Sequence, residues 1–237
     1  MKIKNYLNTT QKEVNSKKFS IWIGISLGNK FFTKENIREY ILWALEKTKD
    51  DILVVIGDNL HSINLEILDG YNKVSALRKA IEIGDKKEKE INEIILELPP
   101  DKAKLIKIVR FAHVTSSKYH ALRLEILRNE FKSNSNFNSM IIDTIKENKK
   151  VQEKQLSNTE LDKLAEYIIQ EIPVYLNGAK YGGRPEHGGK TYLLQIYPGI
   201  GLIDLILMKL QDGSFSQELT SKLRITDKIA IINGYPI

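Results

Sequence analysis

Two kinds of apolar run alternate along the chain. Ser20-Ile-Trp-Ile-Gly-Ile-Ser26 and Asp51-Ile-Leu-Val-Val-Ile-Gly57 are apolar at nearly every position, as a strand covered on both faces of a parallel sheet must be. Between them Thr33 caps a helix predicted to run to about Lys49, so strand, helix and strand follow in the order of a right-handed βαβ unit. A long charged helical region extends from about Ile63 to Leu98, weakened at Gly70 and Gly84 and ended by Pro99-Pro100; Lys104 to Arg110 supplies a third strand. Helical periods then cover about Ser116 to Phe131 and Phe137 to Glu153, on either side of the polar linker Lys132 to Asn136. Ser157-Asn-Thr-Glu160 fits a capping box, and the stripe Leu161, Leu164, Ile168, Ile172 runs from it until Pro173, which is expected to stop the helix. Thr191 to Tyr197 and Lys228 to Ile232 read as late strands flanking a helix near Leu202 to Leu210, and there is no internal repeat. The pattern predicts an α/β fold with a doubly wound, mostly parallel sheet flanked by helices, in one domain over residues 20–237. Residues 1–19 lack an apolar period and are expected to form a basic, poorly ordered arm.

Composition narrows the partners and the chemistry. A net charge of +6 and a pI near 9.2 favour a polyanionic partner without separating RNA from a membrane surface. The chain has no cysteine, which excludes disulfides, thiolate nucleophiles and Cys-ligated zinc. Its lysine-rich N-terminus has no apolar signal core and no run of about eighteen apolar residues occurs, so a soluble cytoplasmic protein that does not enter a membrane is expected.

Candidate chemistry sits at four places. Gly24-Ile-Ser26-Leu-Gly28 matches the G-x-S-x-G elbow of α/β-hydrolases, but only about twenty-five residues precede Ser26, too few for the strands that supply that fold's oxyanion loop. An ordinary small residue ending a strand would look the same. The carboxyl end of a first parallel strand is nevertheless where open α/β sheets place ligands. Tyr167 and Glu171 lie four apart on one helix face: either a core-margin tyrosine beside a solvated glutamate, or a pair able to bind an amine and move protons. Gly182 to Thr191 resembles a phosphate-binding loop with the wrong spacing and the wrong flanking elements, and reads as a flexible cover. Arg78, Lys79, Lys86, Lys87 and Lys89 concentrate positive charge on the long helix; interleaved Glu82, Glu88 and Glu90 suit a salt-bridged surface equally well. Of His61, His113, His120 and His187, none has a diagnostic setting.

In this order the pieces resemble the tRNA-dependent cyclodipeptide synthases. The family's glycine-x-serine-x-x-asparagine signature is matched by Gly24, Ser26 and Asn29, followed by Phe31-Phe32; its later tyrosine-glutamate pair is matched by Tyr167 and Glu171, followed by Ile172-Pro173. Tyr197-Pro198 looks like the Tyr-Pro branch, in which the residue at the Asn29 position varies. The resemblance spans about residues 20 to 235. It implies a Rossmann-like fold similar to the catalytic domain of class I tyrosyl- and tryptophanyl-tRNA synthetases, whose histidine-glycine-histidine and lysine-serine ATP signatures this chain lacks. It further implies two aminoacyl-tRNA substrates, no ATP, no cofactor or metal, an aminoacyl-enzyme on Ser26, amine binding and proton transfer by Tyr167 and Glu171, and help from Tyr197 in ring closure. The basic helix would hold tRNA, and a monomer is favoured. The rival readings are a serine esterase built on the elbow and an RNA-binding domain without catalysis.

Overall fold

The computed structural model describes residues 1–116, 118–176, 178–182, 189–199, 201–225 and 228–236. Strand β1 (Lys2–Leu7) and helix α1 (Gln11–Asn15) precede the unit β2 (Ile21–Ile25), α2 (Lys34–Lys47) and β3 (Ile52–Ile56). Helices α3 (Asp58–Leu68), α4 (Lys73–Leu96) and α5 (Pro100–Ala103) lead to β4 (Ile106–Arg110). A helical stretch follows: α6 (Phe111–Val114), α7 (Lys118–Ser133), α8 (Ser135–Lys146), α9 (Lys149–Gln152) and α10 (Asn158–Leu176). The chain ends with the hairpin β5 (Ala179–Tyr181) and β6 (Lys190–Tyr192), then β7 (Leu194–Tyr197), α11 (Leu202–Asp212), α12 (Gln217–Leu223) and β8 (Ala230–Tyr235).

Six strands form one sheet in the order β1-β8-β7-β2-β3-β4, parallel throughout except for the antiparallel β1–β8 edge. Because β2 lies inside, with β3 and β4 added on one side and β7 and β8 on the other, the winding reverses between β2 and β7. Side chains alternate to two cores. Ile21, Ile23, Ile25, Ile52, Val54, Ile56 and Ile196 pack under α2 and the C-terminal half of α4. Trp22, Leu53, Val55 and Ile231 pack under α3, α8, α10 and α11. Both faces are covered, which is why the strands read as continuous apolar runs.

Three expectations are corrected. Residues 1–19 are no loose arm: Lys2–Leu7 pair with β8, and Thr10 and Glu13 close a capping box over α1. The alternation that would reveal a strand is broken by a register shift between Ile3 and Asn5, and the polar positions face outward at a sheet edge, where lysines discourage further pairing. The long charged helical region is two helices, parted where Gly70 adopts φ +76°, whereas Gly84 breaks nothing. A Cβ there would meet the Arg110 guanidinium at 2.5 Å, so Gly84 makes room for a cluster in which Arg110 bonds Asp58, Asp85 and Glu88. Pro173 does not end α10, which continues to Leu176 with Ile172, Pro173, Val174 and Leu176 buried. One forfeited backbone hydrogen bond is outweighed by that burial, at roughly 1.5–3 kcal/mol for each large side chain.

Candidate active site

The winding reversal places two strand ends side by side. Ser26 follows the last residue of β2 and Tyr197 ends β7, its parallel neighbour, and a ligand crevice is expected at such a switch point. A turn closed by the Asn29 N–H on the Ser26 carbonyl (3.1 Å) follows the strand. Asn29 uses its carbonyl oxygen to accept from Phe31 N–H (2.9 Å) and its amide to donate to the Tyr197 hydroxyl (3.5 Å). Helix α2 starts only at Lys34, capped by Thr33. The sharp strand-serine-helix turn that the esterase reading requires is therefore absent, and so is a following helix N-terminus beside Ser26.

The opposite wall is α10. Its N-terminus is fixed by the predicted capping box, with Glu160 N–H donating to Ser157 Oγ (3.3 Å) and Ser157 N–H to Glu160 Oε2 (2.8 Å). Tyr167 and Glu171 share the face turned to the sheet, and the Tyr167 hydroxyl sits beside both Ser26 and the Glu171 carboxyl. Tyr197 also lies beside Ser26. Burial raises the pKa of Tyr167 and Tyr197, so both are neutral hydroxyls at neutral pH. Glu171 is pushed up to about 8, chiefly by burial, against the opposing contact with Tyr167 and with a smaller contribution from nearby Asp204. Asp204, in the first turn of α11, rises to about 6 by burial although its Oδ2 accepts from Gly201 N–H (2.9 Å). Two adjacent carboxyls held above their ordinary range make a site ready for a positive charge.

Sequence reasoning missed Tyr175, Gln195, Trp22 and Asp204. Tyr175 lies one turn beyond Glu171, on the part of α10 that continues past Pro173. Its ring packs at 5.3 Å from that of Trp22, and its hydroxyl accepts from Gln195 Nε2 (3.4 Å). A lone glutamine in an otherwise apolar strand run was the available signal for Gln195, which is buried. Gly24 is needed for closeness: a Cβ would stand 3.2 Å from Gln195 Nε2 and 3.3 Å from Trp22.

These groups line a cavity of about 850 Å³. Trp22, Val55, Leu68, Phe111, Leu164 and Ile168 supply its apolar wall, and Ser26, Tyr167, Glu171, Tyr175 and Tyr197 its polar one. Gly24 and Asn29 line it too, so every residue of the predicted catalytic set reaches one space. The predicted basic set does not. Arg78, Lys79, Lys86, Lys87 and Lys89 lie on α4, outside the cavity lining. Arg78, Lys86 and Lys89 are exposed; Lys79 pairs with Glu82 (3.4 Å), and Lys87 turns inward to Phe32 O (2.8 Å) and Glu90 (2.5 Å). His61 lines the cavity against Gly28 and is kept neutral by burial; His113 and His120 bond backbone carbonyls elsewhere. Most of the glycine-rich loop, His187 included, falls outside the described residues. Among the described residues no cluster of His, Asp and Glu is arranged to hold a metal, and no helix is long and apolar enough to cross a membrane.

The fold is that of known enzymes. A cyclodipeptide synthase structure from Staphylococcus haemolyticus is 18% identical, superposes with a TM-score of 0.74 and covers 98% of this chain and 99% of its own. A Mycobacterium tuberculosis structure, described as relating cyclodipeptide synthetases to type I tRNA synthetases, is 19% identical with a TM-score of 0.70, covering 100% and 96%. A cyclodipeptide synthase from Candidatus Glomeribacter gigasporarum, bound to Phe-tRNAPhe, is 16% identical with a TM-score of 0.62, covering 92% and 88%. No curated protein sequence matches. The sheet and its helices are thus an α/β fold related to that of class I tRNA synthetases. The family model for cyclodipeptide synthases matches residues 6–184, and the chain belongs to that family.

Proposed function

We propose that the protein joins two amino acids, each delivered as an ester of tRNA, into a cyclic dipeptide by way of an aminoacyl-enzyme on Ser26. The observation that carries this reading is the convergence of Ser26, Tyr167, Glu171 and Tyr197, from three distant segments, on one cavity. In the first step Ser26 Oγ attacks the ester carbonyl; the acyl–oxygen bond to the ribose breaks and tRNA leaves carrying the serine proton. The amine of a second aminoacyl-tRNA then attacks the Ser26 ester, forming the peptide bond and returning the proton to Ser26. The free amine of the resulting dipeptidyl ester finally attacks its own ester carbonyl, closing the ring and releasing the second tRNA. No water is consumed, and both acyl groups arrive activated.

Glu171 is the proton carrier. A carboxyl near 8 ionises when an α-ammonium enters beside it, then takes a proton back as that amine attacks. Tyr167 joins Glu171 to Ser26, and Tyr197 stands over the same hydroxyl, where it assists ring closure. Tyr197-Pro198 favours the Tyr-Pro branch, and the Asn29 amide, which donates to the Tyr197 hydroxyl, orients Tyr197. On α4 the exposed Arg78, Lys86 and Lys89 are suited to tRNA backbone phosphates, whereas the paired Lys79 and Lys87 serve the fold.

The test is incubation with aminoacyl-tRNAs, with mass spectrometry of the small-molecule fraction for 2,5-diketopiperazines and of the intact protein for an aminoacyl adduct. Ser26→Ala should lose both. A Ser26→Ala protein that still forms cyclic dipeptide at near the parental rate removes the nucleophile from the mechanism.

A further inference from the structure

The cavity is electrically polar along its depth. Its interior carboxyls, Glu171 and Asp204, stand among buried groups that, among the described residues, bring no Lys or Arg to the lining. Among the described residues every Lys or Arg that lines it, namely Lys30, Lys149 and Lys150, belongs to the exposed part of the lining and so marks the mouth. They come from two unrelated elements: Lys30 from the turn after Ser26, Lys149 and Lys150 from α9. Lys150 is tied to Asp69 at 3.1 Å, but among the described residues neither Lys30 nor Lys149 forms an ion pair. Among the described residues that line it, Asp69 is the one exposed acidic group, against three lysines, so this part of the mouth keeps a positive balance.

An ammonium-seeking interior behind an anion-seeking mouth matches a ligand with a positive charge at one end and negative charges a short way behind it. The aminoacylated 3′ end of an RNA has that layout: the α-ammonium leads, the ester sugar follows, and the internucleotide phosphates trail. We infer that Lys30 and Lys149 form a phosphate site at the cavity mouth that receives the last internucleotide phosphates of the donor strand, separate from the basic face of α4. The inference rests on the aminoacyl-tRNA reading above. Lysines from two separate elements at the mouth would hold the strand so that its ester lies over Ser26, and would recognise backbone, not sequence.

Two donors test it: an amino acid esterified to adenosine, which has no phosphate, and the same amino acid esterified to the trinucleotide CCA. The parent enzyme should use the trinucleotide with the higher kcat/KM, by about tenfold to a hundredfold at low salt, with the advantage shrinking as salt rises. In the Lys30→Gln/Lys149→Gln variant the ratio of the two kcat/KM values should collapse towards one, and the log–log salt slope should flatten by roughly 0.7 per lost contact. Fluorescence anisotropy of labelled, unacylated CCA supplies a readout without turnover. Trinucleotide binding that depends on both lysines in a protein making no cyclic dipeptide would uphold the phosphate site and sink the acyl-transfer reading. Cyclic dipeptide formation with a trinucleotide preference that survives the double substitution would overturn the phosphate site alone.

Discussion

Replacing Glu171 by glutamine should make the protein more stable, by an amount that grows as pH rises above about 4.5 and levels off above about 8. In the unfolded chain this carboxyl titrates near its ordinary 4.5, and in the fold it is pushed up to about 8. Below the lower value it is protonated in both states and costs nothing. As pH climbs between the two, the unfolded chain ionises while the fold holds the proton, so stability falls steadily and levels off once both forms are charged. A displacement of that size corresponds to about 5 kcal/mol between the protonation states. The side chain is half-buried and lines an open cavity, where solvent screening reduces the effect, so about 3 kcal/mol is a fair expectation. Urea melts of parent and Glu171→Gln at pH 4.5, 6.5 and 8.5 should coincide at the lowest pH and diverge by about that amount at the highest. In thermal melts the gap would be roughly 6–12 °C. Asp204 has a shift of the same sign but is present in both proteins, so it cancels to first order. Parallel curves, or a glutamine variant that is weaker at pH 8.5, would refute the assignment of Glu171 as a carboxyl held protonated by its surroundings. The same titration leaves about one site in ten ionised at neutral pH before substrate enters.

Other expectations follow from close contacts. Gly24→Ala should cost about 1 kcal/mol and lower turnover about tenfold, because the methyl displaces Gln195 and with it the Tyr175 hydroxyl that lines the cavity; unaltered kinetics would show that the placement of this wall does not govern the reaction. Gly178→Ala, at φ +77° with its Cβ 2.5 Å from the Tyr192 carbonyl oxygen, should lose more than about 2 kcal/mol in a urea melt. Arg110→Met strands Asp58, whose side chain is 9% exposed, and should cost about 3–5 kcal/mol by the same measurement; a loss under about 1 kcal/mol would mean that Asp58 finds another partner.

The sheet was legible because a strand buried on both faces has to be apolar at successive positions, and nothing else in the chain combines that density with those lengths. Ser26 was legible for the related reason that strand ends carry the ligands of such sheets, whereas Tyr197 was marked only by the family resemblance. What escaped has physical causes as well. Strand β1 hides because one bulge shifts its alternation and an edge needs only one apolar side. Tyr175 hides because a proline is an honest stop signal for an exposed helix, and only the burial around it, supplied by residues far away in sequence, lets the helix continue. The basic cluster on α4 could be seen as charge but not resolved into the cations that face water and those that the fold has already used.

Strand β2 is hydrogen-bonded on both flanks, to β3 and to β7, whereas β7 depends on β8 and the β1 edge for its other support. Amide exchange should therefore be slowest in Ile21–Ile25 and faster towards β8 and β1, so the serine rides on the part of the molecule that opens last. Partial opening at the far edge would withdraw Tyr197 and silence the site while Ser26 keeps its place. On warming, the chain should lose turnover some degrees before it loses its secondary structure.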